Sequence, residues 1–433
     1  MKFLVGVAAV FLTAAAYAQT PATLPAALEQ ARVALGRGDN AAAEQLLSAV
    51  DPATVDVNDL DFLRGTLAFQ TERYRDAAEY FGRILARDPS LNRVRLELAR
   101  ARFMAGDDGE AERQFRAAIA AGVPPAVARN VGGFLGELRR RRHYDFGIGV
   151  GIAADNNINV ATTAQTVDLF GLPFDIDQSA RKTSGYGLAF NASGNYQWDL
   201  AGNDVRLKVG GQVYDAEYKD GDFVDRQVAL YAGPRFMFKD NSEFSVIATG
   251  AHRWYGGKNL TDAYGARIEG EKPLGHRFLF NGSASWQNQT YLRPQFSSYS
   301  GPVYQVNTVL TYAQRSGFLR GNIGVVRENA RIEPLRDWQY VFGAGIYRHT
   351  LPAHFSAYVS TQLALARYDA PLAAFGVKRG DEQIDVRLSI SNAKLTFGRF
   401  TPIFTYIHTE RFSNIPIYAY SRDRFELGFN WTF

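Results

Sequence analysis

The hydrophobic pattern of the chain changes near residue 143. From residue 24 to residue 122, apolar positions recur at helical spacing, which is typical of amphipathic helices. Downstream, apolar and polar residues alternate, as in Phe278, Phe280, Gly282, Ala284 and Trp286 against Arg277, Leu279, Asn281, Ser283 and Ser285. Such alternation predicts strands with one apolar and one polar face. We therefore expect a helical domain followed by a sheet domain.

The helical part repeats itself with a period of 34 residues. Four sets of equivalent positions carry the repeat: the turn residues Gly38, Glu72 and Gly106, the small residues Ala31, Gly65 and Ala99, the alanines Ala43, Ala77 and Ala111, and the bulky residues Leu47, Phe81 and Phe115. This period, with an alanine four positions before an aromatic residue, is the signature of tetratricopeptide repeats, which stack helix pairs into a solenoid. A three-repeat domain is predicted over residues 19–125.

Such a solenoid usually presents a concave surface to a peptide or a protein. The positions expected to line it share one phase of the repeat, and they are Leu28, Arg32, Phe62, Thr66, Leu96 and Arg100. The alternative is that the domain is a rigid periplasmic spacer.

One further helix is predicted over residues 126–142, and it ends in the run Arg139 to Arg142. Four arginines at a helix end are favoured by the helix dipole when they are solvated. They are equally suited to contact anionic lipid headgroups at the inner rim of an outer membrane. Both interpretations stay open.

From residue 143 to residue 433 the alternation predicts fourteen strands, which begin near residues 143, 182, 204, 224, 242, 260, 276, 301, 316, 335, 353, 380, 400 and 420. Connections after even-numbered strands are mostly short, whereas several of the others are long, above all Asp155 to Arg181 and Asp369 to Arg379. Short periplasmic turns and longer extracellular loops are the rule for outer-membrane barrels. An even strand count places both barrel termini on the periplasmic side.

The two ends of the chain agree with secretion to the outer membrane. Lys2, the apolar run Phe3 to Ala16 and the Ala16-Tyr17-Ala18 exit predict a signal peptide over residues 1–18, cleaved between Ala18 and Gln19. The alternative, a membrane anchor, is disfavoured because the apolar run is too short to span a bilayer. The last strand alternates Phe425, Leu427, Phe429, Trp431 and Phe433, and this aromatic ending is the one that outer-membrane proteins present to the barrel insertion machinery. A water-soluble sandwich would alternate too, but it would lack these features.

Composition excludes several function classes. The net charge is only +4 and the bases are spread along the chain, so nucleic-acid binding is not predicted. Cysteine is absent, which excludes disulfides and thiol catalysis. None of the six histidines stands in a hydrolase or zinc motif. We therefore predict no enzyme activity, no catalytic residue, no metal and no cofactor.

The run Asp155 to Asn159 offers oxygens to calcium, but the favoured interpretation is a polar exit from the first strand, because no acidic ligand closes the run.

A tetratricopeptide domain joined to a C-terminal fourteen-stranded barrel resembles the Slam family, the surface lipoprotein assembly modulators. The sharpest local match is the opening of the barrel, from Phe146 and Gly147 through Gly151 to the run Asp155 to Asn159. The resemblance implies a fold of the α plus transmembrane β class, with the repeats in the periplasm. It also implies transport: particular lipoproteins, or related secreted proteins, move from the periplasm to the cell surface. The short, degenerate repeat domain departs from the family pattern.

A lateral route is one hypothesis for this transport. Gly147, Gly149 and Gly151 of the first strand pack poorly against a neighbour, so the seam with the last strand, at Phe425, Phe429 and Phe433, would open to an added client strand. The alternative is that the glycines only relieve crowding at barrel closure.

The expected partners are the client protein, outer-membrane lipid, lipopolysaccharide and the insertion machinery, and the protein is expected to be monomeric. Two other functions stay open. One is an exopolysaccharide exporter, since some of these also join tetratricopeptide repeats to a barrel. The other is a passive outer-membrane channel, which would leave the repeat domain without a role.

Overall fold

The computed structural model describes residues 25–177, 180–202, 204–219, 221–275, 277–314, 316–395 and 401–432. The chain forms two compact units that divide between Ala118 and Ile119. Within these ranges, no helix is both long and apolar enough to cross a membrane. The predicted cleavage site at Ala18 and Gln19, and the terminal Phe433, lie outside the described residues.

Seven α-helices occur in the described part of the chain: α1 (Ala26–Arg37), α2 (Asn40–Ser48), α3 (Val57–Gln70), α4 (Tyr74–Arg87), α5 (Asn92–Met104), α6 (Asp108–Ala121) and α7 (Pro125–Arg141). The first six form three consecutive pairs whose turns fall at the predicted positions. Gly38 and Gly106 have positive φ, at 74° and 79°, and Glu72 takes the same left-handed conformation at 59°. The 34-residue period therefore corresponds to one helix pair.

The repeat positions form the core of the helical unit. Ala31, Ala43, Ala77, Ala99 and Ala111 are fully buried, and Phe81 and Phe115 each keep only 1% of their surface exposed. Gly65 occupies the small-residue position in the first helix of its pair. A Cβ at this position would lie 2.8 Å from Cε1 of Phe81 in the second helix, so a larger residue would not fit. The predicted three-repeat solenoid is confirmed.

The rest of the chain is a closed antiparallel barrel of fourteen strands. Its strands are β1 (Tyr144–Asp155), β4 (Gly185–Ala201), β5 (Val205–Tyr218), β6 (Asp225–Met237), β7 (Glu243–Tyr255), β8 (Lys258–Leu274), β9 (Phe278–Tyr291), β10 (Gly301–Gln314), β11 (Gly317–Glu328), β12 (Asp337–Leu351), β13 (Phe355–Leu372), β14 (Val377–Asn392), β15 (Thr401–Ser413) and β16 (Tyr420–Thr432). Each pairs with its neighbours in the chain, and β1 closes the barrel against β16. Every strand begins within three residues of the predicted position.

Two predicted loops contain unexpected strands. The first connection carries a separate hairpin of β2 (Thr166–Leu169) and β3 (Leu172–Asp175). The long loop predicted over Asp369 to Arg379 is wrong, because β13 and β14 continue as a paired hairpin with Pro371 opposite Lys378. Main-chain pairing holds both hairpins, so their short strands need no long alternating apolar pattern, and that pattern is what predicts the barrel strands.

Candidate functional site

The barrel wall has an apolar outer face and a polar inner face. On β1 the outward side chains are Tyr144, Phe146, Ile148, Val150 and Ile152, all at least 40% exposed. Residues that alternate with them face inward, because successive side chains of a strand point to opposite faces. An exposed apolar belt around a polar interior is the arrangement of outer-membrane barrels.

The inner face carries charges of both signs that neutralise one another. Lys208 pairs with Glu269 across 2.9 Å, and Arg379 pairs with Asp381 across 2.6 Å. The Arg379 guanidinium also lies between two rings, 3.5 Å from the centre of Tyr418 and 4.7 Å from that of Tyr368. The lumen is therefore lined by fixed ion pairs without one dominant sign.

The seam between β1 and β16 is closed in this structure. Nine residue pairs are in register, from Gly147 opposite Thr432 to Asp155 opposite Arg424. Gly147, Gly149 and Gly151 belong to the inward-facing set, whereas Phe425 and Phe429 are exposed on the outer face. A Cβ on Gly151 would lie 2.9 Å from both Cα of Gly428 and the carbonyl oxygen of Leu427. At this position glycine is needed for close backbone contact, which agrees with the crowding interpretation.

A polar cluster, the seam clasp, joins the end of β1 to the beginning of β16. It consists of Asp155, Asn156 and Asn157 with Ser421, Arg422 and Asp423. Arg422 Nε donates to the buried Asp155 carboxylate across 2.8 Å. Asn156 donates to the Asp423 carboxylate across 2.8 Å and accepts from the Asp423 amide across 2.9 Å.

Asn157 completes the clasp. Its side chain is fully buried and donates to the carbonyl oxygens of Ala161 and Ser421. The run that suggested a calcium site therefore fixes the first loop to the last strand. Its oxygens are engaged with arginine and amide groups, and among the described residues no cluster of three acidic or histidine side chains is placed to hold a metal.

The first loop continues from the clasp over the neighbouring strands. Thr162 Oγ1 donates to the carbonyl oxygen of Pro416, in the loop between β15 and β16. The amide of Phe170, at the tip of the β2–β3 hairpin, donates to the carbonyl oxygen of Ala374 between β13 and β14. The loop thus covers the side of the barrel end that includes the seam.

The barrel matches a family model over its whole length, residues 144–433, and that family is described as "Surface lipoprotein assembly modifier". The chain belongs to the surface lipoprotein assembly modifier family. A second model, "Tetratricopeptide repeat", matches residues 68–129. Membership also places the barrel in the bacterial outer membrane.

Individual relatives are distant but extensive. The "Surface lipoprotein assembly modifier" of Pasteurella multocida (strain Pm70) is 22% identical, covering 92% of this chain and 81% of its own. "Surface lipoprotein assembly modifier 1" of Neisseria meningitidis serogroup B is 23% identical, covering 86% of this chain and 75% of its own. Among solved structures, a Pseudomonas aeruginosa FadL homologue is similar with a TM-score of 0.39 and 8% identity, over 71% of this chain and 94% of its own.

The predicted repeat surface of this chain is only partly accessible. Leu28 was expected to line the groove, but it is fully buried in the core and cannot touch a ligand. Phe62 is half-buried, with its ring 5.7 Å from that of Phe81, and Thr66 donates to the carbonyl oxygen of Phe62. Leu96 is also half-buried.

Each of the two predicted groove arginines pairs with a glutamate of its own helix. Arg32 is exposed and donates to Glu29 across 2.8 Å, and this hydrogen bond lowers the pKa of Glu29, so the pair stays ionised. Arg100 pairs with Glu97 across 2.9 Å and lies 4.8 Å from the centre of the Phe69 ring. An incoming peptide would have to compete with these contacts.

The arginines at the end of α7 were predicted either to be solvated or to contact lipid headgroups, and neither prediction describes all of them. Arg139 is neither solvated nor free for headgroups, because it pairs with Glu271 across 3.0 Å on the barrel. Arg141 pairs with Glu137 in its own helix, and the carbonyl oxygen of Arg142 accepts a hydrogen bond from the buried Arg206. The contacts of Arg139 and Arg142 join residues more than sixty positions apart, which a local pattern does not reveal.

Two histidines make pairs that sequence reasoning missed. His252 lies opposite Asp262 and His408 lies opposite Asp423, with Nδ1 to carboxylate distances of 2.5 and 2.8 Å. The His408 pair joins the last two strands and shares Asp423 with the seam clasp. The spacing along the chain gives no hint of either pair, since both depend on strand register.

Proposed function

We propose that this protein is an outer-membrane translocator that delivers specific lipoproteins, or related secreted proteins, from the periplasm to the cell surface. The observation that carries the proposal is the family match, which spans the barrel from its first strand to its last residue. A barrel of fourteen strands also encloses a wider interior than the eight-stranded barrels that side chains fill.

The repeats would lie on the periplasmic side, where they would assist the client. The barrel would act as a monomer, without catalysis, metal or cofactor. Its apolar belt would contact outer-membrane lipid and lipopolysaccharide, and its last strand would be recognised by the insertion machinery. Neutralised ion pairs along the lumen suit the passage of a polypeptide better than a lumen of one sign would, since a single-sign field favours one class of ion.

Gene deletion tests the proposed function. Surface proteins of intact cells, with and without the gene, are digested by an added protease and identified by mass spectrometry. Loss of one or a few surface lipoproteins, with their periplasmic pools retained, is the expected outcome and identifies the client. An unchanged set of surface proteins would contradict the proposal and would favour glycan export or passive diffusion instead.

The route of the client is a separate part of the proposal. Delivery along the seam requires β1 and β16 to part, whereas delivery through the lumen does not. A cysteine pair at Ala153 and Glu426, which lie opposite each other across the seam, would lock it. The pair Val309 and Asn322, between β10 and β11, is the matched control. Delivery blocked only by the seam pair supports a lateral route, and delivery unaffected by full crosslinking excludes it.

A further inference from the structure

Helix α7 is docked on the barrel by one periplasmic-side turn, residues 238–242 between β6 and β7. Asn241 of this turn adopts a left-handed backbone conformation, with φ at 63°. Its side-chain amide donates to the carbonyl oxygen of Gly132 across 3.1 Å. A Cβ on Gly136 would lie 3.3 Å from Cγ of Asn241 and closer still to its Oδ1. The helix therefore accepts Asn241 only because residue 136 has no side chain.

Arg139 extends from the same helix to the inner wall. Its guanidinium donates to the main-chain oxygen of Asn241, and it lies 3.0 Å from the Glu271 carboxylate and 3.5 Å from that of Glu243. Glu243 and Glu271 are direct partners on β7 and β8. The Arg139 side chain is only 20% exposed, so these charged hydrogen bonds are shielded from water and are stronger than surface ion pairs.

Other contacts extend the docked segment along the rim. The carbonyl oxygen of Arg142 accepts from Arg206 on β5 across 2.9 Å. At the other end, Gly122 lies beside the guanidinium of Arg277, which precedes β9, with 3.6 Å from a Cβ position to Nη2. A helix of seventeen residues is about 25 Å long. The segment thus underlies one side of the barrel mouth, from β5 to β9.

The sequence of α7 makes this helix weak on its own. Gly132 and Gly133 stand in its middle, and a Cβ on either would meet no atom within 4 Å. Neither glycine is required by packing, yet glycine inside a helix lowers its stability relative to alanine. The docked state therefore depends on the contacts of Arg139 and Asn241 more than on the helix itself.

We propose that Arg139 and Asn241 form a latch that holds α7 over part of the periplasmic mouth, and that α7 must be released before a client can enter. The inference rests on the proposed function for its biological role, but the opening of the mouth can be measured without a client. Release separates the Arg139 guanidinium from Glu243 and Glu271 and leaves a more negative inner rim.

A disulfide tests whether release is needed. The chain has no cysteine, so Gly136→Cys with Asn241→Cys provides one defined crosslink. We expect the crosslinked protein to lose surface delivery of the lipoproteins found by gene deletion, and a reductant to restore it. Ser356→Cys with Ser391→Cys is the control, since it crosslinks β13 to β14, outside the β5–β9 side that α7 underlies. Full crosslinking with unchanged delivery would overturn the latch, as would failure of the two cysteines to crosslink.

A second variant keeps the inference testable without any client. Ser283 lines a polar cavity of about 330 Å³ in the lumen, beside Glu243 and Glu271. In purified full-length protein carrying Ser283→Cys, addition of Arg139→Gln is expected to increase the rate of labelling by a charged maleimide several-fold. Arg129→Gln, which changes an exposed arginine of the same helix, is the control and is expected to leave the rate unchanged. Equal rates in all three proteins would show that α7 does not cover the mouth, even if gene deletion establishes transport.

Discussion

The buried pair of Asp155 and Arg422 is the residue contact that holds the seam clasp together. The Asp155 side chain has no exposed surface, and that of Arg422 is 23% exposed. Removing one partner of a buried ion pair leaves a charge without compensation, and this costs about 3–5 kcal/mol. The clasp should therefore depend on this pair more than on any exposed ion pair of the barrel.

Arg422→Gln tests the clasp. We expect a loss of about 3–5 kcal/mol in the free energy of unfolding, measured by urea titration in phospholipid vesicles with tryptophan fluorescence. Arg226→Gln is the control, because Arg226 is 46% exposed and pairs with Asp215 on the outer face. Its loss should be below about 1 kcal/mol. Similar losses in the two variants would contradict a clasp.

Two glycines of the repeat domain provide a matched comparison. Gly65→Ala places a Cβ against the Phe81 ring and should destabilise the helical unit by about 1–3 kcal/mol. Gly82→Ala meets no atom within 4 Å in the middle of α4 and should stabilise it by about 0.5–1 kcal/mol. Far-ultraviolet circular dichroism during urea unfolding measures both. A stable Gly65→Ala protein would mean that the first and second helices of the repeat are less tightly packed than described.

At the scale of elements, regular patterns were predictable and long-range contacts were not. The 34-residue repeat and the alternation along the barrel are local properties, and they located the six repeat helices and the fourteen strands. The docking of α7 joins Arg139 to Glu271, 132 positions away. The role of Asn157 joins it to Ser421, 264 positions away. Neither contact leaves a periodic trace in the sequence.

The same limit explains the misassigned groove and loop. Leu28 shares its repeat phase with the half-buried Phe62 and Leu96, but at the first repeat it is enclosed in the core. β13 and β14 extend into the predicted loop, where hydrogen bonds between their main chains hold them together. The residue types of this segment do not reveal such pairing. Burial and pairing are decided by neighbours in space.

Helix α7 gives a prediction at the element scale. Gly132→Ala with Gly133→Ala should strengthen the helix by about 1 kcal/mol per substitution and slow amide hydrogen exchange in residues 126–141. Gly136→Ala should instead speed exchange, because its Cβ displaces the Asn241 side chain. Hydrogen exchange with mass spectrometry compares the three proteins. If Gly136→Ala also slows exchange, Asn241 does not hold the helix.

The whole molecule has a defined orientation in the membrane. The end with the turn 238–242 should face the periplasm, since most connections at that end are short, and the end with the long first connection and the turn 373–376 should face outward. Single cysteines at Asp240 and Ala373 test this in the cysteine-free chain. An impermeant maleimide should label Ala373→Cys on intact cells and Asp240→Cys only after permeabilisation. The reverse pattern would invert the proposed direction of transport.

The seam clasp also has a consequence for how the barrel assembles. Asp155 and Arg422 are 267 positions apart, and contacts between distant parts of a chain form late because the loop between them must close first. Most of the barrel must therefore be present before the clasp can form, so the clasp forms only when the barrel is almost complete. A chain truncated before β16 would leave Asp155 without Arg422 and Asn157 without Ser421, so the first loop would lose its ties to the last strand. Such a product would expose the unpaired edges of β1 and β15, and unpaired strand edges tend to pair with other chains.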